Sequence, residues 1–75
     1  MEATQTLDAK GLNCPLPILK AKKSLKTMNP GEVLEILTTD PGSIADFDAF
    51  CKTTGNKLLS SDTSGSEYIF YIEKT

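Results

Sequence analysis

Apolar residues return at Ile18, Ala21, Leu25 and Met28 with lysines between them, which is the spacing of one buried helical face. A helix over residues 15–28 follows. Pro15 and Pro17 mark its start, because proline lacks an amide donor and crowds the carbonyl four residues back, and the first turn has no such carbonyl to lose. On that basis Pro15 is N1, Pro17 is N3 and Cys14 is the N-cap. The helix stops at Asn29-Pro30-Gly31, where Pro and Gly suit the central positions of a type II turn.

The remaining pattern predicts a strand at residues 4–8 anchored by Leu7, a loop at 10–13 that leads to Cys14, and a β-rich run at 32–38. Asp40 and Pro41 repeat the helix-start grammar as N-cap and N1, and Gly55 closes the second helix. Ile44, Phe47, Cys51 and Thr54 share one face of it. Residues 56–62 and 67–73 read as a closing hairpin around the polar stretch 63–66, which holds Gly65. Strands separated by helices should run parallel, the last strand antiparallel, and two helices should cover one face of a four-stranded mixed sheet. The class is α+β.

The chain has 75 residues, so residues 1–75 form one domain near the size at which a single core barely suffices. Two cysteines without a histidine exclude a Cys-His dyad and disfavour a zinc site or a disulfide-dense scaffold, so free thiols and no metal or cofactor are expected. Neither a signal-peptide pattern nor a membrane-spanning run is seen, which points to a cytoplasmic chain, a monomer when free, with no membrane partner. Ten acidic residues outnumber eight lysines, and arginine is absent, so bulk charge argues against nucleic acid as a partner. Charge is segregated all the same: Lys20, Lys22, Lys23 and Lys26 all fall on the first helix.

Packing alone does not require two prolines and a glycine turn around a thiol. At a helix N-terminus Cys14 feels the positive end of the macrodipole, which favours the thiolate and lowers its pKa below the free value of about 8.5. Pro17 at N3 offers no amide to the cap, so the shift should be modest and the thiolate still a good nucleophile. Cys51, on an apolar helical face, reads as a small buried hydrophobe. Asp8 and Asp40 flank the two strand-to-helix loops, which belong at the carboxyl ends of parallel strands and so converge on Cys14. For Asp40, plain N-capping competes with a role at the site. At about 100° per residue, Leu16 and Leu19 lie away from the core face among Lys20, Lys22, Lys23 and Lys26. Isolated surface leucines are ordinary, but this group adjoins the thiol and makes a docking surface for an acidic partner with an apolar hollow.

The run Leu7-Asp8-Ala9-Lys10-Gly11-Leu12-Asn13-Cys14-Pro15-Leu16-Pro17 resembles the TusA, or SirA-like, family of small sulfur carriers, marked by Cys-Pro-x-Pro after an Asp-x-x-Gly turn. The likeness extends through the lysine-rich helix, Asn29-Pro30-Gly31, the Asp40-Pro41 start and the closing hairpin. It implies a two-layer α/β sandwich of βαβαββ order in which Cys14 accepts sulfane sulfur as a persulfide and passes it to an acceptor protein cysteine. It also implies that Asp8, Gly11, Pro15, Pro17 and Asp40 shape the site. The donor would be a cysteine desulfurase or a rhodanese-like protein. Similar proteins serve transfer RNA thiolation, molybdenum cofactor supply, sulfur oxidation and selenium metabolism, and no residue here selects among them. Two rivals stay open: a regulatory or RNA-binding module of the same fold, and a thiol sensor cycling through a Cys14–Cys51 disulfide.

Overall fold

Residues 3–13 and 15–75 are described by a computed structural model, and they form β1 (Gln5–Ala9), α1 (Leu16–Lys26), β2 (Val33–Thr38), α2 (Ser43–Thr54), β3 (Lys57–Asp62) and β4 (Tyr68–Glu73). The sheet order is β1-β2-β4-β3, with β1 and β2 parallel and β4 antiparallel to both of its neighbours. This is the α+β mixed sheet backed by two helices that the hydrophobic pattern predicts.

Strand chemistry explains the order. In β2 and β4 the inward positions are Leu34, Ile36, Phe70 and Ile72, all buried, whereas β3 carries Ser60, Ser61 and Asp62 and is largely exposed. A polar strand has little to gain in the middle of a sheet and is placed at its edge. There the ladder slips between Leu58 and Ser60, a local irregularity of the kind that blunts an edge.

The helices bury one stripe each against this face. Phe47 is fully buried, its ring 5.0 Å from that of Phe70 and 6.3 Å from that of Phe50 in a near-perpendicular pair. Ala21, also fully buried, leaves room for α1 to lie close to the sheet.

Helix boundaries move from the expected ones. The N-cap of α1 is Pro15 and not Cys14, so Pro15 is not N1, and Pro17 stands at N2 instead of N3. The Pro15 carbonyl accepts the Leu19 N–H at 3.0 Å. Pro17 is also fully buried, so its ring packs in the core as well as marking the first turn. The helix ends at Lys26, short of Met28, where the Thr27 and Met28 N–H groups tighten to the Ser24 and Leu25 carbonyls at 3.2 and 3.1 Å. Met28 is still buried, in the turn that follows.

For α2 the start is Ser43 with Gly42 as N-cap, so Asp40 and Pro41 precede the helix instead of opening it. A buried hydroxyl chain holds them as a separate turn: the Ser43 hydroxyl donates to the Asp40 carbonyl at 2.6 Å, which leaves Thr38 to donate to Ser43 Oγ at 2.7 Å. The buried stripe is Ser43, Phe47 and Cys51: Phe47 and Cys51 lie on the expected face, and Ser43 takes the place of Ile44 and Thr54. Ile44 is 40% exposed and Thr54 is exposed.

At the turn before β2 the expected geometry holds. Gly31 has φ 90°, and the Glu32 N–H returns to the Asn29 carbonyl at 3.1 Å. Replacing Phe47 by alanine should cost about 3 kcal/mol or more, a large part of the 5 to 15 expected for a small domain. Urea denaturation reads this directly, and a loss below about 1 kcal/mol would mean that the core does not centre on this ring.

Candidate functional site

Parallel strands end on the same side, so pairing Ala9 with Thr38 brings the two strand-to-helix loops together. The first loop is built by short-range hydrogen bonds to backbone amides. Asp8 Oδ1 accepts the Lys10 N–H at 3.0 Å, and the Leu12 N–H reaches the Ala9 carbonyl at 3.3 Å. Gly11 takes φ 81°, a left-handed conformation that favours glycine. Its N–H donates to Thr39 Oγ1 at 2.9 Å, which ties this loop to the one that follows β2. In that second loop Asp40 Oδ1 accepts the Gly42 N–H at 3.2 Å.

Cys14 lies outside the described residues, but the chain on both sides of it is placed. The Asn13 carbonyl accepts the N–H of Leu16, the first residue of α1, at 2.8 Å, and Asn13 and Pro15 are both exposed. No acidic residue lies in the first turn of α1, and the N-cap makes no side-chain hydrogen bond. The positive end of the α1 dipole is therefore not offset by a carboxylate from its own first turn.

Among the expected site residues, Asp8 lies near the end of β1 and braces the first loop, Gly11 and Asp40 sit on the two tied loops, and Pro15 is at the exposed start of α1. Pro17 points into the core instead. Leu16 and Leu19 are 46% and 53% exposed, and Lys20, Lys22, Lys23 and Lys26 are exposed as well. These six divide by helical angle: Leu16, Lys20 and Lys23 face outward, while Leu19, Lys22 and Lys26 line hollows beside α2. Thr39 joins the site without any warning in the sequence. A lone threonine after a β-run carries no periodic signal, and its role rests on a contact across 28 residues of chain.

Cys51 is 6% exposed, and burial pushes its thiol up from its ordinary value, with the Asp48 charge adding to the effect. That is the setting of an inert, packed thiol. Among the described residues there is no cluster of side chains that would hold a metal ion, and no helix is long and apolar enough to cross a membrane.

A family model described as sulfurtransferase TusA matches residues 5–74. A protein of Allochromatium vinosum named sulfur carrier protein TusA is 58% identical over 71 residues, covering 95% of this chain and 93% of that one. A putative sulfur carrier protein of Neisseria meningitidis is 52% identical over 69 residues, covering 92% and 90%. Among solved structures, a SirA-like protein of Desulfitobacterium hafniense superposes with a TM-score of 0.80 at 24% identity, over 93% of this chain and 96% of that one, and so shares the fold.

In the native chain at neutral pH, Cys51 should resist alkylation and become reactive only in denaturant. A folded thiol held above its ordinary pKa keeps its share of stability at neutral pH and loses it as pH rises through the raised value, because the unfolded chain gives up the proton first. Urea midpoints taken into the alkaline range should fall more steeply for the native sequence than for Cys51→Ala, and equal slopes would contradict this.

Proposed function

The chain belongs to the TusA sulfurtransferase family, and from that premise we propose that it is a sulfur-relay protein in which Cys14 carries the sulfur as a persulfide. A sulfur carrier works between a protein that donates sulfur and one that accepts it. The observation that carries the assignment to Cys14 is its position, directly before the proline N-cap of α1 and after a loop tied down by the Gly11 to Thr39 bond.

The chemistry follows from a thiol at the positive end of a helix dipole, where the thiolate is favoured. Cys14 thiolate attacks the outer sulfur of a donor persulfide. A bond forms between Cys14 Sγ and that sulfur, the donor's sulfur–sulfur bond breaks, and the donor cysteine leaves as a thiolate. In the second half an acceptor thiolate attacks the same outer sulfur, and Cys14 leaves as a thiolate. Each exchange conserves electrons, so neither needs an external oxidant. A depressed thiol pKa also helps the second half, since a more acidic thiol is the better leaving group. The proline N-cap and Pro17 supply no amide hydrogens, which keeps the depression moderate and preserves nucleophilicity.

Asp8, Gly11 and Asp40 shape the loops around the thiol, Pro15 and Pro17 set the helix start, and Leu16, Leu19 and the α1 lysines dock the partners. We place the protein in the cytoplasm, where thiols stay reduced. There residues 1–75 act as one carrier domain between a desulfurase or rhodanese-like donor and an acceptor with a reactive cysteine. It is a carrier in this scheme, transferring one sulfur per visit, and not a stand-alone multi-turnover enzyme.

After incubation with a persulfide donor, intact mass should rise by one sulfur in the native sequence and in Cys51→Ser, and not in Cys14→Ser. A gain that depends on Cys51 would overturn the assignment. Leu16→Asp should slow delivery to a protein acceptor about tenfold, the equivalent of about 1.4 kcal/mol of lost docking energy. Unchanged rates with every protein partner would remove Leu16 from the docking surface.

A further inference from the structure

Two hollows of about 430 and 400 Å³ lie along the seam between α1 and α2, and they share Lys22, Phe50 and Thr54 as walls. They therefore abut as one trough. Its first half begins at Pro15, next to Cys14, and is lined by Ile18, Leu19, Ala49 and Phe50, with Asp46 at its edge. Its second half is ringed by Lys22, Lys26 and Lys74, with Thr54, Asn56 and Thr75, and no Asp or Glu side chain lines it.

The charges in this trough are unspent. Among the described residues none of the three lysines has a carboxylate partner within ion-pair distance. Lys74 is oriented by donating to the Leu25 carbonyl, which occupies one of its three N–H groups and leaves its charge in place. Asp46 at the Pro15 end and three ammonium groups at the far end give the trough a direction. From Leu19 to Lys26 the helix rises about 10 Å, a length that suits a stretch of polypeptide better than a small molecule.

Resting on the sulfur-relay reading, we propose that this trough seats one segment of the partner protein: an apolar side chain next to the partner's reactive cysteine, followed about 10 Å further on by acidic side chains. The apolar residue fills the space by Ile18, Leu19 and Phe50. The carboxylates reach the three lysines, and Asp46 repels them from the thiol end, so the segment enters in one orientation only. The direction of the trough is thus what aligns the two sulfurs for transfer.

Two short synthetic peptides test this by chemical-shift titration of the isotope-labelled full chain. Both hold one leucine; one has two glutamates three and four residues further on, and the other has lysines there. The glutamate peptide should move the signals of Leu19, Lys22, Ala49 and Thr54 and bind about tenfold tighter than the lysine peptide. In a K22E/K26E variant the preference should reverse, while K57E, the same charge change on β3, should leave it as it was. Equal binding of the two peptides, or shifts confined to Leu16, Lys20 and Lys23, would overturn the proposal. Sulfur loading of the chain by inorganic polysulfide, followed by intact mass, separates the two readings: no loading defeats the relay itself, whereas loading without a peptide preference defeats only the trough.

Discussion

In the parallel β1–β2 ladder Ala9 stands opposite Thr38, and strands paired in this way must release their chains at the same edge of the sheet. Everything about the site depends on that pairing. It sets the loop after β1 against the loop after β2 so that the Gly11 amide reaches the Thr39 hydroxyl, and it sends α1 back across the sheet from the point where Cys14 occurs. An antiparallel pair would send the two loops to opposite ends. The hydroxyl chain from Thr38 through Ser43 to the Asp40 carbonyl then fixes the second loop from below, with no buried side-chain polar atom left unpaired among the described residues.

Much of this was readable in the chain because local chemistry and the fold agree. Ala21 and Leu25 lie on the predicted face, Gly31 and Gly55 take the left-handed conformations expected of them, and β2 alternates as a half-buried strand should. Helix starts were less legible, and both moved toward the C-terminus. A proline is tolerated wherever its missing N–H has no helical partner to lose, so Pro15 and Pro17 locate a helix start to within a residue and no better. At Asp40 the side chain braces the next turn through the Gly42 amide, a local alternative to capping open to any aspartate. Thr39 and the trough between the helices depend on contacts between distant segments, which periodicity does not report.

A sulfur relay of this size has room for open surface hollows and not for an enclosed pocket. Its chemistry needs one thiol with a moderated pKa, and its selectivity has to come from surface contacts that decide which proteins approach. Around α1, packing and loop bonds lie on the sheet side, and Leu16, Leu19 and the lysines are exposed on the other sides. Cys51 is buried and its thiol is pushed up from its ordinary value, which keeps it protonated at neutral pH.

The most direct test of the account is to follow the sulfur atom itself. Cys14 should be loaded with isotopically heavy sulfur, excess donor removed, and an acceptor protein with a single reactive cysteine added, with peptide mass spectrometry of both proteins in one turnover. The heavy sulfur should leave the peptide containing Cys14 and arrive on the acceptor cysteine. Heavy sulfur found on the Cys51 peptide, or released as free sulfide while the acceptor stays unlabelled, would contradict it.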